Sequence, residues 1–304
     1  MYKKILVPLD GSELAEVALP YAEGVAGRLK AELVMLMVCP ETDPVYAAFG
    51  DDAKLRQAGA GRYLHRLAND FKEQNIEVRL EVRLGPSAST IVDMAEEEGF
   101  GLIIMATHGR SGLGRWVLGS TADKVLRAAT RPVLLIRAKG EQPEVRAQGI
   151  FNRILVPLDG SPEGESIFPH VEALAMEFKS ELILFRVVPF ETYIMPVGTE
   201  GAYDLTGSAQ ALMQAQLEDS RDYLEGVKER LSEKGFHVII DAFIGQAAEE
   251  IINKAESHDA GLVAMCTHGR SGVERWVHGS VATKVLHGGS TPLLLVRAPE
   301  VQSE

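Results

Sequence analysis

The stretch ATHGRSGLGRWVLGSTADKVLRAATRPVLLIR at residues 106–137 recurs, with changes, as CTHGRSGVERWVHGSVATKVLHGGSTPLLLVR at residues 266–297. Nineteen of the 32 aligned positions are identical, whereas ordinary residue frequencies predict roughly two by chance. The segment ILVPLDGS at residues 5–12 also recurs unchanged at residues 154–161. The chain is therefore a tandem duplication, and its period of about 150 residues is that of a whole domain rather than a short repeat unit.

The duplication predicts two domains, at residues 1–138 and 153–304. Residues 139–152 are polar with Gly and Pro, which is typical of a linker. Matching residues are 149 positions apart near the start of the copies and 160 apart near their ends, so the second copy carries 11 extra residues between about 189 and 220. Surface loops tolerate added length best, which predicts that the insertion forms a surface loop.

Composition narrows the classes of function. With 43 acidic and 31 basic residues the net charge is −12, which argues against nucleic acid and anionic membranes as partners. The chain contains two cysteines, Cys39 and Cys266, and no Cys-x-x-Cys motif, so neither a metal site nor a disulfide framework is expected. The basic start MYKKILVPLDGS is too short for a signal peptide or a membrane span. These features predict a cytoplasmic protein.

Strand and helix patterns alternate along each copy. In the first, continuous apolar runs at residues 5–7, 33–38 and 102–105 predict buried strands, and the alternation in IEVRLEVRLG predicts a half-buried strand. The turn at Ser12 predicts a helix start, and a further helix is expected through about residues 54–74. The order β-α-β-α-β-α-β-α-β predicts an α/β fold, a parallel sheet with helices on both faces.

Ligands of such sheets bind beyond the carboxyl ends of the strands, at the point where the strand order reverses. There the segment HGRSGLGRWVLGSTADKVL follows the strand IIMAT. Glycines let the backbone approach a ligand, and a helix N-terminus offers free N–H groups, which together favour phosphate. Gly119, Ser120 and Thr121 occupy that helix start in the first copy, and Gly279 and Ser280 in the second.

On ILVPLDGS, ATHGRSG, RWVLGS and PVLLIR and their counterparts, both copies resemble universal stress protein domains. The resemblance implies two tandem flavodoxin-like or adenine-nucleotide-alpha-hydrolase-like domains, each with a five-stranded parallel sheet. ATP-binding members of that family carry Gly-x-x-Gly, nine residues, then Gly-Ser/Thr. The second and third glycines are Gly109 and Gly119 here, and Gly269 and Gly279 in the second copy.

The first glycine of that motif is replaced by Ala106 in one copy and Cys266 in the other. Alanine adds one methyl group, whereas the bulkier cysteine narrows the approach, so ATP is expected to bind more strongly to the first copy. The resemblance also places Asp10 and Asp159 near the ribose or phosphates, and Val38 and Val187 in backbone contact with adenine.

The candidate nucleotide-binding residues follow from the motif and from the strand ends. They are, in the first copy, Pro8, Leu9, Asp10, Val38, Ala106, His108, Gly109, Arg110, Gly112, Gly119, Ser120 and Thr121. In the second copy they are Pro157, Leu158, Asp159, Val187, Cys266, His268, Gly269, Arg270, Gly272, Gly279, Ser280 and Val281.

Several of these residues have a simpler interpretation. Asp10 and Asp159 also suit turns before Gly-Ser. His108 and His268 lack an evident catalytic partner, which favours loop packing over catalysis. Arg110 either pairs with phosphate or is a solvated loop charge, and the same holds for Arg270.

Three functions compete. The first is an ATP-binding regulatory module of the stress response, with Mg²⁺ as an optional companion and slow hydrolysis at most. The second is a universal stress protein that binds no nucleotide and acts through protein–protein contacts. The third, an enzyme of the ATP-pyrophosphatase type, requires a Ser-Gly-Gly-x-Asp-Ser loop after the first strand, where this chain has Asp-Gly-Ser.

The last strand of each copy predicts how the copies associate. PVLLIR and PLLLVR are short apolar strands at a sheet edge, and exposed apolar edges need a partner. We expect them to pair within the chain as an intramolecular pseudo-dimer, with a homodimer of chains as the alternative. Beyond this contact, the expected partner is an adenine nucleotide.

Overall fold

The computed structural model describes residues 1–41, 53–71, 76–107, 118–137, 150–189, 205–267 and 280–298. They form two compact units. Unit 1 contains the described residues from Met1 to Ile150 together with Pro292–Arg297. Unit 2 contains the described residues from Phe151 to Thr291 together with Ala298.

Strands and helices alternate in unit 1. Its elements are β1 (Lys4–Leu9), α1 (Glu13–Glu16), α2 (Leu19–Leu29), β2 (Glu32–Cys39), α3 (Ala53–Asn69), β3 (Val78–Leu84), α4 (Ser87–Glu97), β4 (Leu102–Ala106), α5 (Ser120–Ala128) and β5 (Val133–Ile136).

Unit 2 repeats the pattern. Its elements are β6 (Arg153–Pro157), α6 (Pro162–Glu165), α7 (Phe168–Phe178), β7 (Glu181–Pro189), α8 (Leu205–Glu233), β8 (Val238–Gly245), α9 (Ala247–Ser257), β9 (Leu262–Cys266) and α10 (Ser280–Gly288). The last strand of the chain, β10 (Leu293–Val296), belongs to unit 1.

The sheet of unit 1 places its first five strands in the order β3-β2-β1-β4-β5, all parallel. The chain moves outward from β1 through β2 to β3, and then returns to the other side of β1 with β4. The order therefore reverses between β1 and β4, which is the switch point where ligands of such sheets bind. In unit 2 the parallel order β9-β6-β7-β8 places the corresponding point between β6 and β9.

Both faces of the unit 1 sheet are covered. Ile5, Leu6 and Val7 of β1 alternate between the faces, and each has 0% exposure. Full burial on both sides is the pattern of a parallel sheet between layers of helices. The predicted α/β fold is confirmed.

Strand β10 pairs antiparallel with β5 inside unit 1, with Leu294 opposite Leu134. All four residues of each strand are buried. The pairing covers the apolar edge that β5 would otherwise expose. The sequence predicted this contact between the final strands of the two copies.

Several helices differ from the expectation. Apolar residues recur at helical spacing after Ser12, but the structure has a break between α1 and α2. The break arises because Pro20 lies in the first turn of α2 and has no N–H with which to continue a helix. Helix α3 ends at Asn69, earlier than expected. Helix α8 begins at Leu205, inside the stretch assigned to a surface loop, so part of that stretch is helical.

Strand β3 also departs from a simple half-buried pattern. No residue of Val78–Leu84 is fully buried, and the charged positions form a network. Arg79 lies 3.1 Å from Glu32 and 3.6 Å from Glu81. The strand pairs with β2 along one edge, and edge strands commonly carry such charges, which discourage pairing with another chain.

Among the described residues, no helix is both long and apolar enough to cross a membrane.

Candidate nucleotide site

A cavity of about 610 Å³ lies at the switch point of unit 1. It is bounded by the carboxyl ends of β1, β2 and β4, the start of α5 and one face of α3. The volume is in the range of small-molecule and cofactor sites. The topology therefore forms a concave pocket where the sequence predicted a ligand.

The turn after β1 fixes Asp10 in this cavity. Its Oδ1 accepts hydrogen bonds from the Ser12 backbone N–H at 3.0 Å and from the Ser12 hydroxyl at 2.6 Å. Ser12 Oγ in turn accepts from the Ala15 N–H at 3.2 Å and caps α1, as predicted. Between them Gly11 has φ of 86°, a conformation that favours glycine. The sequence Asp-Gly-Ser thus forms a rigid turn that holds one carboxylate at the cavity wall.

The start of α5 forms the opposite wall. Gly119 is its N-cap, and its backbone N–H donates to the carbonyl oxygen of Thr107 at 2.8 Å. Because glycine has no side chain, the N-cap position itself offers no side-chain acceptor to the N–H groups of the first turn. The hydroxyl-bearing residues Ser120 and Thr121 line the cavity at the same place. Free N–H groups and hydroxyls at a helix N-terminus are suited to bind an anion.

Part of the cavity lining is apolar. It includes Val38 and Cys39 of β2, Ile91 of α4 and Met105 of β4. The guanidinium of Arg56 on α3 donates through Nη2 to the carbonyl oxygens of two residues just after β2, at 3.1 and 3.0 Å. The lining thus combines apolar side chains with a fixed backbone segment.

A phenol also lines the first cavity. Tyr63 lines the cavity from α3, and burial, reinforced by the nearby charge of Glu16, raises its pKa well above the ordinary value. Glu16 is held by Arg66 at 3.1 Å. Tyr63 is therefore a neutral hydrogen-bonding group at physiological pH rather than a base.

Unit 2 has a matching cavity of about 670 Å³. Asp159 Oδ1 accepts from the Ser161 N–H at 2.9 Å and from its hydroxyl at 2.6 Å. Ser161 caps α6 by accepting from Gly164 N–H at 3.0 Å. The Asp-Gly-Ser turn thus has the same geometry in both copies.

Cys266 distinguishes the second cavity. Its thiol lies 3.1 Å from the Ser166 hydroxyl and donates to the Gly164 carbonyl at 3.7 Å. Burial raises the pKa of the Cys266 thiol to about 11, and the charge of Asp159 adds to that effect. The thiol is therefore protonated at neutral pH, and it behaves as a small buried group rather than as a nucleophile.

A charged residue from β7 also lines the second cavity. The guanidinium of Arg186 lies 5.0 Å from the centre of the Tyr223 ring and 3.9 Å from the carboxylate of Asp219. Tyr223 donates from its hydroxyl to Glu165 at 2.8 Å. Burial, followed by the hydrogen bond to Glu165, raises the pKa of Tyr223.

The described candidate residues all line one of the two cavities. The first is lined by Pro8, Leu9, Asp10, Val38, Ala106, Gly119, Ser120 and Thr121, and the second by Pro157, Leu158, Asp159, Val187, Cys266, Ser280 and Val281. The remaining candidates lie outside the described residues: His108, Gly109, Arg110, Gly112, His268, Gly269, Arg270, Gly272 and Gly279.

Sequence reasoning missed the contribution of the long helices. Arg56 and Tyr63 on α3 line the first cavity, and Asp219 on α8 lines the second. One signal was present, since Tyr63 and Tyr223 occupy equivalent positions of the two copies. Arg186 was also visible as a charge inside the apolar run ELILFRVVP.

Within the described part of the chain, His, Cys, Asp and Glu side chains form no group that could hold a metal ion.

Comparison with known proteins agrees with this architecture. Universal stress protein MJ0577 of Methanocaldococcus jannaschii is 32% identical over 158 residues, which cover 46% of this chain and 97% of that protein. Universal stress protein Slr1230 of Synechocystis is 23% identical over 321 residues, which cover 97% of this chain and 100% of that protein. The crystal structure of a universal stress protein from Archaeoglobus fulgidus covers 98% of this chain and 99% of its own, with 18% identity and a TM-score of 0.74, which shows a shared fold.

The model of the universal stress protein family matches the chain twice, over residues 1–137 and residues 151–297. Each match covers one copy of the duplication. The chain therefore belongs to the universal stress protein family and carries two of its domains in tandem.

Proposed function

We propose that this protein is an adenine-nucleotide-binding regulatory module of the stress response, with ATP as the ligand of the first cavity and weaker binding in the second. The observation that carries the proposal is the convergence of Asp10, Val38 and the start of α5 on one cavity of about 610 Å³. We also place the domains at residues 1–138 and 153–304, joined by residues 139–152, and the protein in the cytoplasm.

The lining of the first cavity offers groups suited to each part of ATP. The apolar side chains of Val38, Ile91 and Met105 suit a planar base, whose exocyclic nitrogen can donate to backbone carbonyls near the end of β2. The start of α5, with Ser120 and Thr121, suits the phosphates. Asp10 also lines the cavity, and its carboxylate can accept hydrogen bonds from ribose hydroxyls.

A magnesium ion, if present, would enter with the phosphates. Mg²⁺ in nucleotide sites is held by phosphate oxygens and one or two carboxylates, and it keeps several waters. Asp10 is a carboxylate in the first cavity that could approach it.

Hydrolysis is proposed to be slow. Phosphoryl transfer depends on positioned charge and an oriented nucleophile. The sequence lacks a Walker lysine, and the neutral phenol of Tyr63 is not suited to activate water. A site that contacts the ground state more than the transition state binds well and turns over slowly.

Mass spectrometry of small molecules released from the purified full-length protein tests the proposal. We expect an adenine nucleotide to be released in amounts that fall when Gly119 is replaced by valine. Release of no nucleotide, together with no binding of added ATP, would instead favour the family function that depends on protein contacts alone.

A further inference from the structure

The duplication allows the two cavities to be compared position by position. Three apolar lining residues match, whereas Met37 of the first cavity is replaced by Arg186 in the second. The first presents Val38, Ile91 and Met105, and the second presents Val187, Ile251 and Met265. The second cavity is also slightly larger, at about 670 against about 610 Å³. Both cavities therefore have the volume and the apolar side chains that a nucleoside needs.

The residues proposed to lie near the phosphates differ between the two cavities. Thr121 at the start of α5 is matched by Val281 at the start of α10, so a hydroxyl donor is replaced by two methyl groups. Ala106 at the end of β4 is matched by Cys266, whose side chain adds a sulfur atom next to Asp159. The first change removes a hydroxyl donor, and the second adds a thiol bonded to Ser166 and Gly164, at the strand end where a phosphate chain would approach the backbone.

The charged groups that line the cavities also differ. Among the described lining residues, the first cavity holds one carboxylate, Asp10, and one guanidinium, Arg56. The second holds two carboxylates, Asp159 and Asp219, and one guanidinium, Arg186. The formal charges of these groups cancel in the first cavity and sum to −1 in the second.

Arg186 interacts with neighbouring groups of the protein, as Arg56 does with two backbone carbonyl oxygens in the first cavity. Its side chain is 12% exposed, and it lies between the Tyr223 ring at 5.0 Å and Asp219 at 3.9 Å. A guanidinium beside a carboxylate and an aromatic face interacts electrostatically with both, which weakens its attraction for a ligand anion.

We propose that the second cavity binds a nucleoside-sized ligand with fewer phosphates than ATP, with adenosine as its simplest form, so that one chain holds two different ligands. This inference rests on the proposed function, because it takes ATP as the reference ligand of the first cavity. The apolar residues that the second cavity shares with the first bind the nucleoside. The changed residues at the end of β9 and the start of α10, together with the net negative charge of the described lining groups, disfavour the polyphosphate.

The test measures ligand binding to the second cavity alone, in the full-length chain. Gly119→Val closes the first cavity, and Asp10→Ala serves as a second variant with a disabled first cavity. Calorimetry with ATP and with adenosine then reports the second cavity. We expect adenosine to bind at least about tenfold more tightly than ATP in both variants.

A variant that restores residues of the first copy in the second cavity tests the cause of its ligand selectivity. It combines, in the Gly119→Val background, Asp219→Gly, Cys266→Ala and Val281→Thr. We expect this variant to gain about tenfold in ATP affinity while its adenosine affinity stays unchanged. The corresponding change in the first cavity is Gly59→Asp in the otherwise native chain. It should weaken ATP binding and leave adenosine binding unchanged.

The outcomes separate this inference from the proposed function. If the native chain binds ATP but both first-cavity variants bind adenosine and ATP equally, or bind neither, the second cavity is not selective and this inference is wrong. If the native chain binds no ATP while the variants still bind adenosine, the proposed function fails and the selectivity stands.

Discussion

The carbonyl oxygen of Thr107 accepts a hydrogen bond of 2.8 Å from the backbone N–H of Gly119. Thr107 directly follows β4 and is 4% exposed, and Gly119 is the N-cap of α5. The bond joins Thr107 to Gly119 and sets the first turn of α5 beside the end of the strand. The position of the helix N-terminus, and so the proposed phosphate site, depends on this contact.

The Asp-Gly-Ser turn should have separable structural and binding roles. Asp10→Ala removes the acceptor for two hydrogen bonds from Ser12, and hydrogen bonds to charged groups are worth about 2 kcal/mol. We expect a loss of about 2 kcal/mol in the free energy of unfolding together with weaker ATP binding. Asp10→Asn keeps an oxygen acceptor and should lose less stability. Urea denaturation of both variants provides the measurement, and an Asp10→Ala protein as stable as the native one would contradict the role of the turn.

The buried thiol of Cys266 should make stability depend on pH in the alkaline range. Its pKa is raised from 9.0 to about 11 in the folded protein. The unfolded chain therefore loses the thiol proton first, and stability falls as the pH rises from about 9 to 11. Relative to Cys266→Ala, the native protein should lose on the order of 2 kcal/mol across that window. The comparison removes the contribution of the tyrosines, which both proteins share. A difference between the two proteins that stays constant with pH would show that the thiol is not desolvated.

Strand β10 should stabilise unit 1 although it is the last strand of the chain. Leu294 has 0% exposure and lies opposite Leu134. Leu294→Ala should cost about 3 kcal/mol and speed amide hydrogen exchange in β5. Leu84→Ala, at a side chain that is 38% exposed, provides the control and should change exchange in β5 little. Unchanged protection of residues 133–136 in the Leu294→Ala protein would count against the pairing.

The sequence predicted the strand-end residues that line the candidate cavity, but it did not predict the helix residues that line it, for physical reasons. Asp10, Val38 and Ser120 follow from the topology, because the carboxyl ends of parallel strands meet at one edge. Arg56 and Tyr63 lie on the face of a long helix, and which face turns toward a cavity depends on packing that a single sequence does not show. The break before α2 was visible in Pro20, but the apolar periodicity on either side of it masked the interruption.

Catalysis can be tested on the histidine of the motif, which lies outside the described residues. If the protein is a binding module, single-turnover measurements should show slow ATP hydrolysis in the native protein and little change in His108→Ala. Turnover of several per second that disappears in His108→Ala would instead identify an enzyme with His108 as its proton-transfer group.

Calorimetric titration of ATP into the native protein and into Gly119→Val tests the central claim most directly. Gly119 has φ of −58°, which valine can adopt, so the backbone tolerates the change while a branched side chain is added at a position that lines the cavity. Gly61→Ala provides the control, since a Cβ at Gly61 meets no atom within 4 Å. The account predicts that ATP binding to the first cavity is lost in Gly119→Val and retained in Gly61→Ala. An unchanged ATP affinity in Gly119→Val would show that the nucleotide does not bind at the start of α5.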